Sequence, residues 1–268
     1  MKLLVSPKDV EEAKAVIRGG ADIVDVKNPK EGSLGANFPW VISSVKEMVE
    51  AAGAERAERA ERAERAERAE RAERAEGERG NGEKMKMSAA IGNFDYKPGT
   101  ASLAALGAAA AGADYIKIGL FKIKTKEEAV DLLGAVVKAV KGLDPEKKVV
   151  AAFYSDYKRI NSISPFEISA IGKDVALDVA MVDTAVKDGK TTLEFLSEEE
   201  LKMFVSESRA LGLETALAGS LKFEDLPAVK KINPDIIGVR GMVCGGNRDE
   251  SVRAELVSEL GRLVAGGS

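Results

Sequence analysis

A single (β/α)8 barrel is the fold that the sequence predicts, and three observations predict it. Short, apolar, β-rich segments alternate with stretches of helical period, eight of each, along the chain. Each crossover is long enough to hold a helix, which parallel strands need. The 268 residues match the about 250 usual for one such barrel. An open doubly wound sheet would also alternate strands and helices, but eight units favour closure, and a hydrophobic content of 45% can fill one large core. The expected organisation is one domain over residues 1–268, with 54–83 a solvent-exposed helical insertion after the second strand.

The first strand is read at residues 3–6. Pro7, Lys8 and Asp9 form a helix entry, and the amphipathic run over 10–18 stops at Gly19 and Gly20. Residues 21–26 make the second strand, whose alternation puts Ile23, Asp25 and Lys27 on one face and Val24 and Val26 on the other. A Gly- and Pro-containing loop spans 28–39, and Trp40 opens a helix marked by Val41, Val45 and Met48. That helix runs into Ala-Glu-Arg triplets over 54–76. Each Glu from 55 to 70 stands four residues before an Arg, an order worth ~0.3–0.5 kcal/mol per pair. Alanine every third residue drifts around a helix of 3.6 residues per turn, so neither a fixed apolar stripe nor a coiled-coil seam forms. The expectation is a solvated helix about 35 Å long, with 77–83 a flexible return to the barrel. The remaining strands are read at 85–91, 114–120, 148–153, 178–183, 214–218 and 235–240. The helices between and after them fall at 102–111, 126–140, 166–173, 198–211, 223–230 and 248–264.

Composition narrows the function. A net charge of −4 argues against nucleic acid as a partner. The lone Cys244 excludes an internal disulfide framework and suits a reducing cytoplasm. A strand begins almost at the first residue, so no signal peptide is expected, and the small apolar run over 101–113 is too short to span a bilayer. Histidine is absent. Acid–base work therefore falls to Lys, Asp, Glu, Tyr or Cys, and a histidine-based metal site or triad is excluded.

In such barrels the active site lies at the C-terminal ends of the strands. The second strand delivers Asp25 and Lys27, the fourth Lys117, the fifth Tyr154 and Asp156, and the sixth Asp183 with Lys187 following. A carboxylate and an amine at a buried strand end are costly. Burial lowers a lysine's pKa and leaves a neutral nucleophile, while a nearby acid opposes that shift and can move protons. Schiff-base chemistry on a carbonyl needs that pairing; the alternative is a salt bridge sealing the barrel end. Gly219 and Ser220 after the seventh strand, and Gly238, Arg240 and Gly241 at the eighth, supply loops that could hold a phosphate. Tight βα turns of any function would also use such glycines. An Asp-x-Lys-x-x-Asp array on the second strand would need an aspartate where Lys30 stands.

With these residues in view, the sequence closely resembles the (5-formylfuran-3-yl)methyl phosphate synthases. The resemblance rests on LVSPKD (4–9), GADIVDVKNP (20–29), EGSLGANFPW (31–40), YKPGT (96–100), GADYIK (112–117), DTAVKDGK (183–190), AGS (218–220) and GVRG (238–241). The Ala-Glu-Arg insertion departs from the family pattern and lies away from each of these motifs. The resemblance implies a cofactor-free barrel lyase of methanofuran biosynthesis that joins two molecules of glyceraldehyde 3-phosphate into a furan with loss of phosphate and water. It matches Lys27 to the Schiff-base lysine, Lys117 to the proton acceptor, and Asp25, Asp183 and Lys187 to further active-site positions. No metal, nucleic-acid or membrane partner is expected, and association into a homo-oligomer is. Another lysine-imine aldolase, or a phosphosugar-binding barrel without turnover, would carry much of the same residue pattern.

Overall fold

The computed structural model describes residues 1–71 and 85–266. Eight parallel strands close on themselves in chain order: β1 (Lys2–Val5), β2 (Ile23–Val26), β3 (Lys86–Phe94), β4 (Tyr115–Leu120), β5 (Lys148–Tyr154), β6 (Val179–Asp183), β7 (Glu214–Leu217) and β8 (Ile236–Val239). The helices outside them are α1 (Val10–Gly19), α2 (Pro39–Arg71), α3 (Pro98–Ala110), α4 (Lys126–Leu143), α5 (Ile168–Val175), α6 (Glu198–Ala210), α7 (Leu226–Ile232) and α8 (Ala254–Ala265).

Alternation along each strand sorts the core into two sets. Val24, Val26, Ile116, Ile118 and Val182 belong to the set between sheet and helices. Leu4, Ile23, Val150, Met181 and Ile236 fill the barrel interior. Local chemistry sets the helix ends. Asp9 caps α1 by accepting the Glu12 amide at 2.8 Å, Gly20 closes it in the left-handed region, and a capping box between Ser197 and Glu200 opens α6.

One device recurs four times. Asp22, Asp114, Asp178 and Asp235 stand just before β2, β4, β6 and β8. Each carboxylate accepts the amide of a residue on the preceding odd strand: Leu3 at 2.7 Å, Met87 at 2.8 Å, Val149 at 2.7 Å and Thr215 at 2.8 Å. Three of them also pair with a cation from the helix that precedes that odd strand, Lys46 on α2, Lys141 on α4 and Arg209 on α6. The closure sets where each even strand begins. The residues three and five places further on then face the lumen: Asp25 and Lys27, Lys117 and Gly119, Met181 and Asp183, Gly238 and Arg240.

Two expectations change in detail. Helix was expected from residue 248, but 248–253 is loop and α8 begins at Ala254. The reason is a turn at Asn247, whose carbonyl accepts the Glu250 amide and whose side chain accepts that of Asp249. The helix expected over 102–111 starts earlier, at Pro98, a residue pre-set for the first helical turn. α2 continues through the Ala-Glu-Arg triplets as far as Arg71; residues 72–76 and the return expected at 77–83 lie outside the described residues. Among the described residues no helix is long and apolar enough to cross a membrane.

Candidate active site

The C-terminal ends of the strands surround a cavity of ≈ 580 Å³, lined among others by Lys27, Lys117, Asp183 and Lys187. Such a volume suits small ligands. Lys27 is the residue after β2 ends, its amide held by the Pro7 carbonyl at 3.2 Å. It is 7% exposed, and among the described residues its amine has no hydrogen-bond or ion-pair partner. Burial and the neighbouring Lys117 bring its pKa down to about 7, against the opposing pull of Asp25 and Asp183.

The salt bridge that could have explained the second-strand pair exists, but with a different lysine. Lys117, on β4, donates to Asp25 Oδ2 at 2.5 Å, and Ser6 Oγ donates to the same oxygen at 2.8 Å. Asp25 Oδ1 and the Ser88 hydroxyl, neighbours in register on β2 and β3, are buried without a hydrogen-bond partner. Burial would raise the Asp25 pKa, but Lys117 and Lys27 outweigh it and hold the carboxyl below its ordinary value. Asp25 is thus a buried anion whose Oδ2 is committed to Lys117 and Ser6 and whose Oδ1 lies beside Ser88.

Across the lumen, Asp183 ends β6. Its Oδ1 accepts the Lys187 amine at 2.6 Å and the Thr184 amide at 2.7 Å; no protein donor reaches Oδ2 among the described residues. Burial again pushes the acid up, and Lys187, Lys27 and Lys117 together bring it below its ordinary value. Lys187 is lowered by burial, opposed by Asp183. Asp156 fixes the loop carrying Lys187 by accepting the Ala185 and Val186 amides at 2.7 and 3.0 Å. Tyr154 turns aside from this chemistry. Its hydroxyl, pushed up by burial, donates to Asn93 Oδ1 at 2.5 Å. Ser33 donates to the same oxygen at 3.2 Å, which ties the 28–38 loop down with Leu34 fully buried beneath it.

The loops after β7 and β8 present backbone donors. Among the described residues the amides of Gly219, Ser220 and Gly241 donate to no protein acceptor, and all three residues line the cavity with Gly238. Gly219 has φ 105°, and a Cβ there would collide with Thr192 Oγ1, so the turn requires glycine. Arg240 lines the cavity too, but its guanidinium is committed to the protein. It pairs with buried Glu12 at 2.6 Å and donates to the carbonyls of Ser6 at 2.8 Å, Arg248 at 2.8 Å and Glu250 at 3.3 Å. Of the twelve residues named at the strand ends and in the loops after β7 and β8, nine line the cavity; Asp25 sits one layer beneath it, and Tyr154 and Asp156 hold the surrounding loops. Sequence reasoning missed Ser6, Ser88 and Glu12. The first two are visible only through strand register, and Glu12 only through a contact 228 residues distant.

Comparison with known proteins identifies the family. A family model described as 4-HFC-P synthase matches residues 3–261. The (5-formylfuran-3-yl)methyl phosphate synthase of Methanosarcina acetivorans is 57% identical over 260 residues, covering 97% of each chain. The protein of the same name from Methanocaldococcus jannaschii is 48% identical over 265 residues, covering 98% of this chain and 99% of that one. Among solved structures, KGPDC from Streptococcus mutans superposes with a TM-score of 0.56 at 11% identity over 99% of both chains. The 3-hexulose-6-phosphate synthase of Salmonella typhimurium gives 0.56 at 13% identity over 97% of this chain and 98% of that one. At these identities the structural likeness speaks for the barrel alone.

Proposed function

The chain belongs to the 4-HFC-P synthase family, and on that premise we propose that it condenses two molecules of glyceraldehyde 3-phosphate into (5-formylfuran-3-yl)methyl phosphate, as a step of methanofuran biosynthesis. The observation that carries the reading is the Lys27 amine: buried, unpaired, opening onto the cavity and with its pKa brought down to about 7. An amine in that state is substantially neutral at physiological pH and adds to an aldehyde without first losing a proton to solvent.

On this reading Lys27 forms an imine with one triose phosphate, releasing water. The imine acidifies the adjacent C–H, and a base removes that proton to leave an enamine. Lys117 is the proposed proton carrier, because its salt bridge to Asp25 gives the proton a destination one hydrogen bond away. The enamine carbon adds to the aldehyde of the second triose. Asp183, which lines the cavity, and Asp25, behind Lys117, are the proposed proton movers through ring closure and dehydration. Hydrolysis of the imine returns Lys27. Counted over the cycle, one phosphate and two waters leave for each furan formed. The amides of Gly219, Ser220 and Gly241 are the proposed phosphate donors, and Lys187 balances the charge that phosphate brings beside Asp183.

The test is reductive trapping. Borohydride added during turnover of glyceraldehyde 3-phosphate should leave a mass adduct on Lys27 and arrest formation of an ultraviolet-absorbing furan. Turnover with no adduct on Lys27 would remove the imine from the mechanism.

A further inference from the structure

Arg240 was the expected phosphate guanidinium, and the geometry shows it occupied elsewhere. Its donors go to Glu12 and to three carbonyls, one of which belongs to Arg248. That bond, at 2.8 Å from Arg240 Nε, pins the backbone of the loop between β8 and α8 and presents the next guanidinium along the chain. Arg248 is half-buried and lines the cavity. Its guanidinium has no hydrogen-bond or ion-pair partner among the described residues. The charges it feels most are those of Asp183 and the fixed Arg240, and Lys187 feels it in turn, so it faces the reacting end of the cavity. A partly desolvated guanidinium with its donors unused is poised for an anion, and a planar fork matches a phosphate monoester.

We propose that Arg248 is the guanidinium that receives a substrate phosphate, and that Arg240 serves the site by holding the Arg248 backbone in place. The assignment rests on the reading of the substrate as a phosphorylated triose. It gives the cavity a side-chain anion site on its β8 side, close to the free amide of Gly241. Because the Arg248 guanidinium makes no hydrogen bond or ion pair among the described residues, its replacement tests ligand binding without breaking a polar contact of the fold.

Two measurements on the full chain test this. Calorimetric titration with inorganic phosphate should show binding weakened by about 10- to 100-fold in Arg248→Ala, the loss of a charge-assisted contact. Arg248→Lys should recover part of that, and both variants should melt where the parent does. Borohydride trapping is then compared for glyceraldehyde 3-phosphate and unphosphorylated glyceraldehyde. Arg248→Ala should slow trapping of the phosphorylated aldehyde and leave the other unchanged. Unaltered phosphate affinity in Arg248→Ala, or an equal loss for both aldehydes, overturns the assignment. If the parent traps neither aldehyde, the imine reading fails, while the phosphate titration still judges Arg248.

Discussion

Lys117 Nζ and Asp25 Oδ2 lie 2.5 Å apart, both groups buried inside the barrel, and the pair stands beside the unpaired amine of Lys27. Lys27 and Lys117 share one lumen, and Asp25 is bonded to only one of them. The charge of Lys117, held beside Asp25, discourages a proton on Lys27.

That relationship predicts the effect of removing Lys117. In Lys117→Met the cation that lowers Lys27 is gone, and Asp25 is left to pull the Lys27 pKa upward. The acid limb of imine trapping, expected near pH 7 in the parent, should move up by about one unit or more. Turnover should fall by about 10²–10⁴-fold through loss of the proton carrier. Trapping rates measured between pH 6 and 10 in both proteins check it; an unmoved limb would show that Lys117 does not act on Lys27.

Lys27 should also cost stability. Its folded pKa of about 7 lies below the ordinary lysine value near 10.4. Between those values the unfolded chain holds more protons than the folded one, so stability rises with pH across that window and is lowest below it. Lys27→Met removes the desolvated amine and keeps its bulk. The variant should lose imine formation yet unfold at higher urea concentration at pH 7, by about 2–4 kcal/mol. Its stability should climb less than the parent's between pH 7 and 9.

Much of this site was legible in the sequence because strand ends in a barrel converge. Asp25, Lys27, Lys117 and Asp183 follow apolar runs whose period of two fixes which face they share. Their pairing was not legible: nothing in the spacing says that Asp25 bonds to a lysine 92 residues away and not to the one two places on. The recurrent aspartate before each even strand went unread because unequal helices separate its copies. The Arg240–Glu12 bond joins opposite ends of the chain, and the charged run after Gly246 has a helical composition that the Asn247 turn overrides.

Gly119 supports the site from behind. It faces the lumen on β4, and a Cβ there would collide with Tyr154 Oη while lying 2.7 Å from Asn93 Oδ1 and 2.9 Å from Leu34 Cδ1. Gly119→Ala should therefore break the Tyr154–Asn93–Ser33 tie and lift the 28–38 loop, with a stability loss of about 1–3 kcal/mol. Ser33→Ala loosens the same loop without a collision and should lose less. Faster amide exchange over 30–36 in both variants checks the mechanism; exchange confined to β4 would contradict it.

Glu12 is the buried anion on which Arg240 depends, 4% exposed and 2.6 Å from the guanidinium. Burial pushes its carboxyl up, but Arg240 and Lys8 outweigh that and hold it below its ordinary value. An acid depressed in the folded state adds stability that is complete above its unfolded pKa, about 4.3, and disappears as pH falls through the lower folded value. Glu12→Gln leaves Arg240 buried beside a neutral amide. It should cost about 3–5 kcal/mol at pH 7 and remove part of the acid dependence of unfolding below pH 4. Because the same guanidinium pins the Arg248 carbonyl, Glu12→Gln should also weaken inorganic phosphate binding, although Glu12 lies outside the cavity lining. Urea titrations at pH 4 and 7 and phosphate calorimetry on one preparation separate the two effects. A variant that loses stability yet binds phosphate as the parent does would confine the Glu12–Arg240 pair to folding.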